Sequence, residues 1–374
     1  MMLALLGLMT LAVVLLPLLP ALHEWARPSD VVPLQIDDDD ALDPGYLAQH
    51  FAERLAAALS AGDARLGRSA IVTVASAEEG LPLSVNEALA AHSRRLWHVH
   101  GAAELPLGVR FMGEVAVERD LTTAARGVYR ALLAGGRLRL APSSRVLRWA
   151  HAQDIEVGNG CHVAGRQSAE RTISVGHSVR FARLHAPEIS FDGPAHPSAA
   201  EVMVPAPSVI YTGLPWPAQW DPASGRALAT ESMRIDAHQA WRGDLVCQGD
   251  LRLGPGCHVR GSIKTHGRLQ LGAGCHVVGN LFAQGRVILG AGCVVQGCVI
   301  SETAITLEPG CVVGAPTELV TVAAPQIDVA PAVRVHGSLW AELRGRSQRA
   351  SAPVPLRAWA AKRFGPAAQR QVVA

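Results

Sequence analysis

The chain has 374 residues, of which 49% are hydrophobic and 18% are charged, and its formal net charge at neutral pH is +2. This length is sufficient for two or three domains. A net charge so close to zero gives no electrostatic argument for a polyanionic partner, so the composition does not favour a nucleic-acid-binding protein.

The chain begins with a strongly apolar segment, because residues 1–22 contain no charged side chain. As a helix rising about 1.5 Å per residue they would extend about 33 Å, enough to cross the hydrocarbon core of a bilayer. We therefore predict a single-pass transmembrane anchor at residues 1–22. A cleaved signal peptide is the alternative, although the basic start of such peptides is absent. Residues 23–42, which include the acidic run Asp37–Asp40, are predicted to form a tether.

Residues 43–130 are predicted to form a small α/β module. Asp43 and Pro44 are typical of the start of a helix, and Gly62 of its end. Between them apolar residues recur every four positions, at Leu47, Phe51, Leu55 and Leu59. The run Ala-Ile-Val-Thr-Val at 70–74 predicts a buried strand. We interpret this module as a spacer or cap for the repeats that follow.

A repeat of about eighteen residues follows the module. Residues 155–163 match residues 173–181 at a spacing of eighteen. We therefore predict a short β-helical stretch at 131–189. Residues 190–232 contain seven prolines and no repeat, which favours a loop or a hinge between two solenoid stretches.

The same period is clearest in the second half of the chain. Four copies of one motif are centred on cysteines eighteen residues apart, at Cys257, Cys275, Cys293 and Cys311. Eighteen is even, so the alternation of inward and outward side chains keeps its phase from coil to coil. From 251 to 313 no odd-numbered residue is charged, so odd residues are predicted to fill the interior. The main β-helix is predicted at 233–340, and the fold class is mostly β, a parallel β-helix of about 18 residues per coil.

Cysteine usage favours buried thiols rather than disulfides or metal ligands. The count of seven is odd, and stacked cysteines one rung apart, roughly 4.8 Å, are poor disulfide partners. In pairs such as Cys257-His258 the thiol and the imidazole point to opposite faces, so one ion cannot bind both. We predict no metal and no cofactor. Free thiols are typical of a reducing compartment, which favours a cytoplasmic solenoid.

Two surfaces of the main solenoid are predicted to mediate self-association. Outward apolar residues of the late coils would form an exposed patch. The last coil would leave an open strand edge, since the residues after Trp340 form no convincing cap. The self-association candidates are Phe282, Ile300, Val294, Val312, Leu339 and Trp340.

The C-terminal residues 341–374 carry seven basic residues and the single acid Glu342. Such a segment is typical of a solvated, disordered tail. Contact with anionic lipid or nucleic acid is the alternative, since Trp359 and Phe364 could provide an apolar side.

These features together resemble the bactofilins, a family of polymer-forming bacterial cytoskeletal proteins. The resemblance is carried by the eighteen-residue coils, the Val-x-Gly-x-aliphatic corners, and the openings Gly243-Asp244-Leu245 and Gly249-Asp250-Leu251 after an apolar anchor. It implies a right-handed β-helix that polymerises without nucleotide and scaffolds envelope or morphogenetic proteins. The expected partners are other copies of the chain and the bacterial inner membrane, bound through residues 1–22, with no nucleic acid.

Two enzyme classes remain as alternatives. Hexapeptide-repeat acyltransferases have left-handed coils of the same period, and resemblance to them would imply a trimer with a catalytic histidine from among His258, His266 and His276. An exported carbohydrate-acting β-helix would need clustered carboxylates. The solenoid offers only scattered ones, at Asp244, Asp250, Glu302 and Glu308.

Overall fold

The structure is a computed structural model of the chain, and it describes residues 2–26, 43–75, 81–191, 218–221 and 226–349. The chain divides into two compact units, Met1–Asp43 and Pro44–Ala374. Most of the predicted tether and of the basic tail lies outside the described residues.

The first unit contains helices α1 (Met2–Leu15) and α2 (Leu19–Ala26), joined by a 3₁₀ turn at Leu16–Leu18. The single helix expected over residues 1–22 is therefore interrupted. Pro17 lies inside the turn, where its missing N–H and its ring disfavour a continuous α-helix. Among the described residues, no helix combines the length and the apolarity needed to cross a membrane.

The second unit begins with helix α3 (Tyr46–Ser60), as the apolar spacing predicted, and includes the short helix α4 (Val85–Ala90). The strands that accompany them are β1 (Arg65–Leu66), β2 (Ser69–Val74), β3 (His92–Ser93), β4 (Leu96–Val99), β5 (Ala103–Glu104), β6 (Arg110–Val117), β7 (Leu121–Thr122), β8 (Val128–Ala134), β9 (Arg137–Leu140), β10 (Arg145–Val157), β11 (His162–Val175) and β12 (Arg180–Phe191).

Strands β2, β4, β6, β8, β10, β11 and β12 pair in parallel, in that order, and form the first solenoid. The separate α/β module expected at 43–130 is therefore wrong, because its strands are the first coils of a β-helix. The register explains why the repeat was not visible. One column of paired residues runs through Trp97, Val115, Leu132, Ala150, Gln167 and Leu184. Bulges make its spacing eighteen residues in some coils and seventeen in others, and each seventeen inverts the odd–even phase.

The second solenoid follows the even period that the sequence predicted. Its strands, with the short β13 that precedes it, are β13 (Gln219–Asp221), β14 (Arg226–Ala229), β15 (Met233–Ile235), β16 (Ala240–Arg242), β17 (Leu245–Cys247), β18 (Leu251–Leu253), β19 (His258–Arg260), β20 (Ile263–Thr265), β21 (Leu269–Leu271), β22 (His276–Val278), β23 (Leu281–Ala283), β24 (Val287–Leu289), β25 (Val294–Val295), β26 (Val299–Ser301), β27 (Ala304–Leu307), β28 (Val312–Val313), β29 (Val320–Val329) and β30 (Arg334–Ser347).

These strands form three parallel sheets, with three strands in each coil. The inward assignment of odd strand residues is confirmed, since Leu253, Leu271, Leu289 and Leu307 are all buried. A glycine at the inner corner is also explained, because a Cβ at Gly279 would collide with the carbonyl oxygen of Gly261 one coil below. The solenoid starts at β14, so part of the predicted loop at 190–232 belongs to its first coil.

The two solenoids meet at their last coils. Strand β12 pairs with β30 in an antiparallel register that places Leu184 opposite Leu339 and Arg183 opposite Trp340. The open terminal edge expected after Trp340 is therefore wrong, because β12 occupies it. Residues 341–347 continue β30 instead of starting a disordered tail. The two solenoids thus share one continuous interior, and the chain advances along the axis in opposite directions in the two halves.

The seven cysteines are free, and all except Cys298 are buried. This confirms the prediction that cysteine acts here as a small hydrophobic side chain. A hydrogen bond from the Cys257 thiol lowers the pKa of Cys275, but Cys293 and burial outweigh it and raise the pKa to about 11. Thiols of this kind are protonated and unreactive at neutral pH.

Candidate functional site

One outer wall of the second solenoid carries an exposed apolar column. Register aligns Phe282 with Ile300, Ile300 with Ala323, and Ala323 with Trp340, and we call these four residues the wall patch. Ile300 is 37% exposed and Trp340 is 41% exposed. At a strand spacing of about 4.8 Å the patch is roughly 14 Å long.

Cations border the wall patch at both ends. The Lys264 ammonium lies 5.5 Å from the ring centroid of Phe282, and the Arg183 guanidinium lies 4.1 Å from that of Trp340. Both geometries are those of cation–π contacts. The patch is therefore an apolar strip with a positively charged group at each end.

The structure separates the six predicted self-association residues. Phe282, Ile300 and Trp340 share the wall patch. Val294 and Val312 lie half-buried on a neighbouring sheet, aligned with each other. Leu339 is fully buried at the junction with β12, so its side chain is not part of an outer surface.

The histidines nominated for an acyltransferase site are not gathered into one cluster. The rings of His258 and His276 stack edge to face, with centroids 5.8 Å apart. Burial, together with His258, lowers the pKa of His276. His266 is exposed at a different position of the coil.

Two of the four nominated carboxylates have a structural role at the corners of the coils. Asp244 accepts a hydrogen bond from the backbone N–H of Ser262 at 2.7 Å, and Asp250 accepts one from that of Arg268 at 2.7 Å. Each bond joins residues eighteen apart and ties one coil to the next. This explains both acids without a catalytic function.

Helix α3 covers an outer wall of the first solenoid, where it packs across successive strands. Its Leu55 contacts Leu96 and Ala116, and its Phe51 ring lies 5.3 Å from the ring of Trp149. The apolar face predicted for this helix is thus explained by an apolar outer column on the sheet.

Beside α3 the structure has a cleft of about 550 Å³. The helix contributes mainly Ala52, Ala56 and Leu59 to its lining. The opposite side carries the apolar residues Ala116, Val117, Leu133 and Ala134 together with five ionisable side chains, namely His98, His100, Glu118, His151 and Glu170. A mostly apolar cleft that holds a few polar groups is typical of a ligand site.

Three of these side chains are close together, and we call His98, His100 and Glu118 the His–Glu cluster. Nδ1 of His100 lies 2.8 Å from Oε1 of Glu118, and Nε2 of His98 lies 3.7 Å from the same oxygen. Burial lowers the pKa of His98, and His100 lowers it further, while Glu118 acts to raise it.

The sequence analysis did not identify the His–Glu cluster. The available signal was His98-x-His100 followed by Glu118, eighteen residues after His100. A spacing of eighteen indicates neighbouring side chains only if residues 96–117 form coils of a β-helix. The changing odd–even phase of the first solenoid hid these coils in the sequence.

Comparison with protein-family models, curated proteins and solved structures finds no match for this chain.

Proposed function

We propose that this protein is a membrane-attached, bactofilin-like scaffold that associates with other copies of itself without nucleotide. The observation that carries the proposal is the wall patch. An apolar strip on the rigid wall of a solenoid is a surface that a second copy can cover. The cytoplasmic side of a bacterial inner membrane is the proposed location, with residues 1–22 as the attachment.

The edges of the solenoids favour contact through the wall. The last coils cover each other through β12 and β30. At the two first coils, β1 pairs antiparallel with β2, and β13 pairs antiparallel with β14. Each covering strand hinders edge-to-edge pairing at one strand of its first coil, whereas β15 and β16 have no such strand among the described residues and the wall patch stays exposed.

Replacement of Phe282 and Ile300 together by Ser tests this proposal. Both side chains point outward, so the change should leave the fold intact and remove two of the three large apolar side chains of the patch. Sedimentation velocity and electron microscopy of the full chain in mild detergent, without nucleotide, should show assemblies for the parent and smaller species for the double variant.

The matched control is the double variant Val294→Ser and Val312→Ser on the neighbouring sheet, which should assemble like the parent. A monomeric parent contradicts the scaffold proposal. A closed trimer that survives the Phe282 and Ile300 changes would favour the acyltransferase alternative.

Membrane attachment is tested separately by cell fractionation. The full chain should be in the membrane fraction, and a chain without residues 2–26 should be soluble. Recovery of both chains in the membrane fraction would show that residues 1–22 are not the attachment.

A further inference from the structure

The backbone places the His–Glu cluster at one corner of the first coils. Val99 pairs with Val117, so the residues that follow them, His100 and Glu118, lie side by side on adjacent coils. The backbone N–H of His100 bonds to the carbonyl oxygen of Val74, and that of Glu118 to that of Val99. His98 is two residues before His100, which gives both imidazoles the same side of the chain. Backbone hydrogen bonds between the coils therefore fix the positions of the residues that carry the ligand atoms.

The three side chains are spaced like the ligands of one metal ion. Their donor atoms all lie within 4.8 Å of one another. In a tetrahedral site with bonds of about 2.0–2.1 Å, two ligand atoms are about 3.4 Å apart. The separations of 3.7 Å and 2.8 Å from Glu118 Oε1 bracket this value.

The state of His98 is the second observation. Its side chain is 10% exposed, and its Nδ1 has no hydrogen-bond partner among the described residues. Its Nε2 lies 3.7 Å from the Glu118 carboxylate, beyond hydrogen-bond range. A buried imidazole is normally hydrogen-bonded, so an unpaired one beside two further donors is typical of a ligand site.

The charge around the cleft favours a cation. Metal binding requires deprotonated ligands, and with both imidazoles neutral the cluster would carry a charge of −1. In the part of the chain that the structure describes, no lysine or arginine lines the cleft.

We propose that His98, His100 and Glu118 bind a divalent first-row transition-metal ion, with Zn²⁺ preferred. Imidazole nitrogen suits Zn²⁺ and its neighbours in the series, whereas Mg²⁺ and Ca²⁺ require mostly oxygen ligands. Three protein ligands leave one tetrahedral position open, and Glu118 and His100 are each about half exposed toward the cleft. Water or a small anionic ligand fills that position.

The remaining ionisable pair of the cleft is too distant to join the site. His151 aligns with Leu133, Leu133 with Ala116, and Ala116 with His98, so three rungs separate the two histidines. At about 4.8 Å per rung this is roughly 14 Å. His151 and Glu170 therefore provide a matched control from the same cleft.

The test uses the full chain in mild detergent, freed of metal by chelation and titrated with Zn²⁺ in a calorimeter. The parent should bind one Zn²⁺ per chain. Glu118→Gln and His100→Ala should each weaken binding by at least about 100-fold, which is the largest effect typical of residues that only orient a metal ligand through a hydrogen bond. The control His151→Ala with Glu170→Gln should bind like the parent, and circular dichroism should show the same fold for all variants.

Co²⁺ provides the second readout, since its visible absorption reports the ligand set. The parent should show bands of a four-coordinate nitrogen–oxygen site, and Glu118→Gln should lose them. Absence of Zn²⁺ binding, equal binding by the Glu118 and His100 variants, or sulfur-to-cobalt charge-transfer bands from a cysteine site would each overturn the proposal.

Discussion

Truncation of Leu339 to Ala tests the junction between the two solenoids. Leu339 is fully buried opposite Leu184, which is 1% exposed, and backbone of both sheets surrounds the pair. Leu-to-Ala changes in cores cost about 2–5 kcal/mol, with the larger values where the surroundings cannot collapse. Two hydrogen-bonded sheets are such surroundings, so we expect about 3–5 kcal/mol.

Leu343 provides the matched control, because it lies on the same strand β30 and is 78% exposed. Leu343→Ala should change the free energy of unfolding by less than about 0.5 kcal/mol. Urea denaturation followed by circular dichroism measures both variants. Leu184→Ala should resemble Leu339→Ala, and the double variant should be less destabilised than the sum of the two, since the residues share one contact.

Equal stability of the Leu339 and Leu343 variants would refute the reasoning. That result would mean that the last coil of the second solenoid is open to solvent, as the sequence first indicated. An additive Leu184 and Leu339 pair would show that both side chains are buried but in separate places.

Three further outcomes follow from buried groups elsewhere. Val277→Asp places an unpaired charge in a fully buried layer and should cost about 3–5 kcal/mol, and thermal unfolding close to the parent's would contradict the inward assignment. Burial alone would raise the pKa of Glu87, but hydrogen bonds led by those from Arg95 lower it to about 2 from 4.5. Because the folded pKa is depressed, up to about 3 kcal/mol of stability is present above pH 4.5 and is lost as the pH falls toward 2. Glu87→Gln should therefore lower stability at neutral pH and flatten this acid limb in pH-dependent urea melts, and an unchanged limb would show that the ion pair is not formed. A thiol reagent at pH 8 should modify Cys298 first, since the other cysteines are buried, and Cys298→Ser should remove the fast phase; rapid reaction of several thiols would contradict a closed interior.

The second solenoid was predictable up to Val313, because its period of eighteen residues is even and unbroken there, whereas an insertion offsets the next coil and pairs Val299 with Val322. Leu253 and Leu271 share a parity, a column and a buried interior, so one rule assigns every strand of these coils, and it fails in β29, where the even residues Val320 and Val322 are buried. The same rule predicted Phe282 and Ile300 on one outer column, and the structure confirms their alignment.

The first solenoid was only partly predictable, because single-residue bulges break that rule. Trp97 and Val115 are odd, whereas Leu132 is even, yet all three are inward members of one column. A local pattern with inconsistent phase is indistinguishable from a mixture of unrelated strands, which is why these coils were interpreted as an α/β module.

The junction and the His–Glu cluster depend on register that no local pattern contains. The apolar alternation of strand β30 would be the same whether its edge were open or paired. Its partner β12 lies about 150 residues earlier, so nothing near β30 in the sequence indicates the pairing. Likewise His100 and Glu118 become neighbours only when their coils are placed in register.

Because of the antiparallel junction, the two solenoids do not share one strand direction. In an ordinary parallel solenoid the chain advances in a single direction along the axis. One tip of such a solenoid is then its first coil and the other tip is its last. Here the chain reverses at β12 and β30, so both free tips are first coils, each bordered by a short antiparallel strand. An assembly of such subunits would inherit no polarity from its rungs. Its two ends would be alike in strand direction. A partner that binds only one end would therefore have to recognise side chains, because the backbone direction is the same at both.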